Sequence, residues 1–174
     1  FFAKFIAAGE GRISNISGYL DEFKFWEELH ACECPGVLRG DQVFGGPRLR
    51  RPIQVLELQN LCRLSDMPKP FRSLARHFPD QNVPPQLLRR SAESLDAWRC
   101  RVELHHRAPV MRAALNELKH PYTDVVNPLQ FRAIVDLVVR MPDRFRTGKK
   151  LFAKLVAERE PDVALAAHMA IMRA

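Results

Sequence analysis

The sequence predicts an all-α fold: a short α-solenoid of stacked helix pairs behind an irregular N-terminal region. Three observations carry that prediction. From Pro52 onward apolar residues recur at helical spacing, and no alternating β pattern of useful length occurs. Prolines punctuate the periodic segments, as they do where many short helices begin. Glycine divides the chain, with seven of eight glycines at or before Gly46 and only Gly148 beyond it.

Taken in order, residues 1–30 hold a short apolar stretch and then a helix. Ser17 or Asp21 can cap that helix, and Phe25, Trp26 and Leu29 form its expected buried stripe. Residues 31–51 read as an irregular loop through Cys-Glu-Cys-Pro-Gly, Gly40-Asp41 and Gly45-Gly46-Pro47, ending in Arg48, Arg50 and Arg51. A loop of that length in a compact domain is uncommon and usually binds something or moves.

Beyond it, Val55, Leu58 and Cys62 stand one helical turn apart. Leu88, Ala92, Leu95, Trp98 and Val102 continue a single face, and Met111, Ala114, Leu115 and Leu118 follow the i, i+3, i+4, i+7 template. Asn127 before Pro128, with Gln130 three residues on, reads as a capping box for a helix carrying Phe131, Ile134, Val135 and Val138. Leu151, Phe152, Leu155 and Val156 mark the next helix, with Thr147 as its expected cap, and Leu165, Met169 and Met172 mark the last.

Pro52 to Pro85 is 33 residues, Pro85 to Pro128 is 43, and Pro128 to Pro161 is again 33. Each interval holds two helical segments: 53–66 with 69–78, 86–106 with 109–120, and 129–141 with 147–159. A helix pair cannot bury its apolar face alone, so such units stack. The alternative is a plain helical bundle with coincidental proline spacing. The expected organisation is residues 1–51 as a helix plus Gly-rich basic loop, then a repeat domain over 52–174. Its units are about 52–84, 85–127, 128–160 and 161–174.

The run Leu151-Phe152-Ala153-Lys154-Leu155, followed by Pro161-Asp162-Val163, resembles the junction between two pentatricopeptide repeats. Ala75 and Phe78 before Pro85, and Leu115 and Leu118 before Pro128, resemble the same junction more weakly. The resemblance covers about residues 52–174. It implies an organellar protein, and often single-stranded RNA read one base per repeat. The base-reading slot falls on Ala166 when aligned on Pro161 and near Ala133 when aligned on Pro128. Alanine cannot hydrogen-bond a base edge, so the resemblance implies a scaffold that keeps packing residues without reading residues.

The net charge is +7, and 20 of the 27 basic residues are arginine. A guanidinium forks onto phosphate oxygens, so this balance suits nucleic acid; it also suits acidic partner proteins. The candidate contact residues are Arg48, Arg50, Arg51, Arg89, Arg90, Arg144, Arg146, Lys149 and Lys150. Arg89/Arg90 and Lys149/Lys150 are expected near first turns of helices, where cations oppose the macrodipole and invite an anion. The four cysteines show no disulfide framework and are expected reduced. No apolar run is long enough to cross a membrane. The chain starts at Phe1 and not at Met, as a fragment or a chain with a removed presequence would.

Catalytic and metal constellations are incomplete. Glu27/His30 and Glu103/His106 are Glu-x-x-His pairs, but a carboxylate di-iron site also needs a glutamate from each of two more helices. His30, Cys32 and Cys34 give three zinc-type ligands and no clear fourth. Thr147-Gly148-Lys149-Lys150 lacks the upstream glycine and the Ser/Thr after lysine of a phosphate loop. No nucleophile elbow occurs. The expectation is therefore a non-enzymatic structural subunit, with no metal and no cofactor, in the mitochondrial matrix. Its expected setting is the mitochondrial ribosome, touching rRNA and neighbouring subunits. A scaffold subunit of a respiratory complex or ATP synthase, and a free pentatricopeptide-like RNA-binding protein, are the alternatives.

Overall fold

The computed structural model describes residues 2–10, 12, 22–41, 44–66, 69–78 and 82–163. The proposed caps Ser17 and Asp21, the helical stripe Leu165/Met169/Met172 and the slot at Ala166 lie outside these residues. The chain is mostly helical. Helices α1 (Phe2–Gly9) and α2 (Glu22–Ala31) precede a short strand β1 (Gly36–Leu38). Helices α3 (Pro52–Leu58) and α4 (Lys69–Arg72) follow. Then comes a long helix made of α5 (Leu95–Val102), a π-helical segment (Glu103–Arg112) and α6 (Ala113–Glu117). Strand β2 (Asp124–Val126) leads into α7 (Arg132–Arg140), α8 (Asp143–Arg146) and α9 (Lys150–Arg159).

The long helix is the spine on which the core is strung. At its start Ser94 accepts the Ala97 amide at 3.0 Å, which satisfies one of the unpaired N-terminal donors. Trp98 and Val102 pack there with Leu49 and Val55, and the Trp98 indole donates to the Leu87 carbonyl at 2.8 Å. In the middle, Leu104 joins Phe44, Val138, Ile134, Leu151 and Phe152. Just past its end Leu118 packs on Phe5 and Phe23. Residues before 52 thus contribute to all three clusters, through Leu49, Phe44, and Phe5 with Phe23.

Several sequence expectations are corrected in detail. The helix expected over 53–66 ends at Leu58. Asn60 adopts φ +54°, and the amides of Asn60 and Leu61 turn back onto the carbonyls of Glu57 and Leu56. That left-handed cap stops the helix before Cys62. The helix expected over 86–106 begins only at Leu95, because Ala92 sits at φ +58°, and Leu88 is exposed. The break expected at Pro109 is a continuous helix instead. The π segment widens the turns around the proline, whose ring would otherwise crowd the preceding turn.

The Asn127/Gln130 capping box does not form. Pro128–Gln130 is a separate 3-10 turn, and Phe131 is extended before α7 starts. Thr147 does not cap α9; its hydroxyl donates to the Asp143 carbonyl at 2.8 Å, and Lys149 holds the cap position. In α2 the core takes Phe23 and Trp26, while Phe25 is exposed. Of the three expected pairs, 129–141 with 147–159 comes closest, as α7 and α9 with α8 between them.

Two short β contacts also depart from the all-α expectation. Strands β1 and β2 pair in parallel, Val37 opposite Val125, and Gly46 bridges Thr147. Three-residue strands and single bridges carry no period for the sequence to display. Around the sheet, the Arg39 amide donates to the Val126 carbonyl at 2.9 Å and the Thr123 hydroxyl to the Cys34 carbonyl at 3.1 Å.

Candidate nucleic-acid interface

The Gly46–Thr147 bridge brings together two basic segments that lie far apart in sequence. The Gly45 amide donates to the Arg146 carbonyl at 2.7 Å, and the Gly148 amide to the Gly46 carbonyl at 2.8 Å. Beneath the crossing lies Arg99, only 5% exposed. It pairs with Asp96 at 3.0 Å and donates to the carbonyls of Pro47, at 2.8 Å, and Arg146, at 3.4 Å. A Cβ at position 46 would lie 2.5 Å from the Arg99 guanidinium, which would have to shift. Buried charge is tolerable here because it is both paired and hydrogen-bonded.

The crossing sorts the predicted contact residues. Arg146 is a correction: it is buried and paired with Asp143, so it ties the crossing together and cannot meet a ligand. Arg48, Arg50, Arg51, Arg144, Lys149 and Lys150 are all exposed. Among the described residues none of these six enters an ion pair. Arg48, Arg144 and Lys150 line one open cleft of about 540 Å³. Arg144 lies over the Phe145 ring, 4.9 Å from its centroid. Arg50 and Arg51 continue from Arg48 into α3. The first turn of α9 holds no acidic residue, so Lys149 and Lys150 face an unneutralised macrodipole.

Arg89 and Arg90 are exposed too, but they occupy the turn before α5 and not a helix's first turn, which corrects the dipole argument for them. The Arg89 side chain donates to the Glu93 carbonyl at 2.8 Å, and the Arg90 amide to the Glu93 carboxylate at 3.0 Å. Glu93 also meets Arg101 at 2.7 Å, and Arg101 donates to the carbonyls of Gln86 and Leu88. The Arg101 hydrogen bond, more than any other effect, holds the Glu93 carboxyl below its ordinary range. This cluster closes a turn.

Across Gly148 lies a second pocket, of about 460 Å³, that sequence reasoning missed. Glu103, 5% exposed, pairs there with Arg112 at 2.7 Å and lies 3.7 Å from Arg107. The Glu103/Arg107 spacing was visible as an i, i+4 pair. Arg112 was not, because nine residues of α-helix make two and a half turns and end on the opposite face. The wider π turns bring it round.

The remaining constellations are placed as follows. The His30 ring meets the Tyr122 carbonyl through Nδ1 at 3.2 Å. None of the four cysteines forms a disulfide. Burial is the main cause that raises the pKa of both Cys62 and Cys100. Among the described residues no group of three or more His, Cys, Asp or Glu is placed to hold a metal ion. No helix among them is long and apolar enough to cross a membrane.

Fold and site together define a basic, mostly helical chain with a two-stranded parallel sheet and an arginine-rich crossing. No protein-family model, curated protein or solved structure matches it.

Proposed function

We propose that the chain is a non-catalytic structural subunit of the mitochondrial ribosome that holds rRNA phosphates along Arg48, Arg50, Arg51, Arg144, Lys149 and Lys150. The observation that carries this reading is the crossing at Gly46 and Thr147. It joins two basic segments into one exposed set, while Arg99 and Arg146 are spent on holding the crossing itself. Exposed cations without carboxylate partners suit a polyanion, and arginine suits phosphate in particular. Organellar location and the helix-pair reading draw their support from the resemblance of Leu151–Val163 to a pentatricopeptide junction. The solenoid reading rests on the same resemblance and on the proline spacing.

Two measurements test the reading. Endogenous protein from an organelle lysate should sediment with ribosomal particles on a density gradient; migration as a free monomer overturns the subunit reading. Purified protein should bind an rRNA fragment with a steep salt dependence. Changing Arg48, Arg50 and Arg51 to alanine should lower the slope of log affinity against log salt by about 2–3, each phosphate contact contributing about 0.7–0.9. An unchanged slope overturns the assignment of those arginines.

A further inference from the structure

The cleft of Arg48, Arg144 and Lys150 holds more than cations. Two carboxylates, Asp96 and Asp143, line it as well, beside the apolar side chains of Leu49 and Leu95. Each aspartate is half engaged. Asp96 Oδ1 pairs with Arg99 at 3.0 Å, and Asp143 Oδ1 pairs with Arg146, so one oxygen of each holds the crossing. The second oxygen of each accepts no hydrogen bond among the described residues, and neither is sealed from solvent. The two side chains keep 13% and 39% of their surface accessible, so a ligand can reach both. Among the described residues neither aspartate pairs with Arg48, Arg144 or Lys150. The cleft thus has a cationic part and an acceptor part, set apart from one another.

That mixture narrows the ligand. Carboxylates inside an anion site repel a bare phosphate or an acidic peptide, and they favour a molecule that carries donors at a distance from its own anion. A nucleotide does so, with donors on the base edge and the charge on phosphate, and a cleft of about 540 Å³ suits a ligand of that size. Among the RNA bases guanine sets two donors side by side, N1–H and the N2 amino group. Adenine and cytosine set a ring-nitrogen acceptor beside their amino group, and uracil flanks N3–H with two carbonyls. We propose that the cleft takes one unpaired guanine nucleotide of an RNA strand. Its N1–H and N2 amino group donate to the open oxygens of Asp96 and Asp143, its ring lies along Leu95, and its phosphates meet Arg48, Arg144 and Lys150. Single-stranded RNA is where such an edge is free to be read. This rests on the RNA reading above and adds a base preference to it.

Fluorescence anisotropy on the full chain tests it, using labelled oligouridylates of about ten nucleotides that carry one central guanosine, adenosine, cytidine or uridine. The guanosine strand should bind about tenfold more tightly than the other three, within the range of one bidentate base contact. Asp143→Asn keeps an oxygen for Arg146 and brings an amino group to the cleft. It should erase the preference while the all-uridine strand binds as well as before or better, which also shows that the variant is folded. Arg48→Ala should weaken all four strands alike and preserve the preference. Unlabelled mononucleotides on the wild type need no variant: guanosine monophosphate should displace the strand about tenfold better than the adenosine, cytidine or uridine monophosphate. Equal wild-type affinity for the four strands, or a preference that survives Asp143→Asn, overturns the guanine site and leaves the arginine ridge standing. Guanosine monophosphate that binds as tightly as the guanosine strand overturns the RNA reading and keeps the guanine site. Binding to no strand and no mononucleotide overturns both.

Discussion

Gly46 and Glu93 each do a job that a neighbouring residue type cannot. At Gly46 the Arg99 guanidinium lies so close that a Cβ forces it to shift, which strains its hydrogen bond to the Pro47 carbonyl. Gly46→Ala should therefore cost about 2–4 kcal/mol in urea unfolding. Gly40→Ala is the control, because a Cβ there meets nothing within 4 Å, and it should change stability by less than about 0.5 kcal/mol. Glu93 is half-buried and held ionised by Arg101. Glu93→Gln should cost about 1–3 kcal/mol at neutral pH. Its carboxyl pKa is lowered by folding, so its contribution is present above the unfolded-state value and is lost as pH falls through the folded one. The gap between wild type and Glu93→Gln should accordingly close in acid. A gap that stayed constant from pH 7 down through the carboxylate range would contradict the pairing.

At the scale of elements, the π segment decides most. Pro109 cannot donate an amide and its ring crowds the turn before it, so the helix either breaks or widens. Here it widens, and the consequence is chemical: Glu103 and Arg112 come onto one face. Pro109→Ala frees the segment to return to α-helical winding. A double-mutant cycle on Glu103 and Arg112 should give a coupling within the range of about 0.5–3 kcal/mol in the wild type. In the Pro109→Ala background that coupling should fall below it. Persistence of the full coupling would mean that the π winding has some other cause.

For the molecule as a whole, the net charge of +7 concentrates its consequences at the crossing. Six exposed cations without carboxylate partners repel one another across open water, and salt screens such repulsion. Raising salt from about 0.1 to 0.5 M should therefore raise the melting temperature by about 2–4 °C, corresponding to about 1 kcal/mol in a chain of this size. A melting temperature that fell with salt would show that the ion pairs within the fold, and not the unpaired ridge, dominate its electrostatics. The three hydrophobic clusters along the spine are less sensitive to salt. They join residues 1–51 to the later helices through Phe5, Phe44 and Leu49.

The sequence by itself determined the helical character, the run of short elements, the exposed basic residues at 48–51 and 149–150, and much of the apolar core. Val55, Trp98, Val102 and Val138 were legible because helical periodicity is a local property. The left-handed stop at Ala92 was not, because alanine adopts that conformation only where the surrounding fold holds it there; asparagine adopts it more readily, but an asparagine at position 60 does not by itself say that a helix ends there. Nor was the demotion of Arg146 from contact residue to internal tie, since burial depends on what packs above a side chain. The pairing of Glu103 with Arg112 depended on a π winding that no spacing rule anticipates. Only the tertiary structure decided that Gly46 meets Thr147. That contact is long-range, made by backbone groups and by the absence of a side chain, so it leaves no periodic trace in the sequence, and it is what brings Arg48, Arg144 and Lys150 to one cleft.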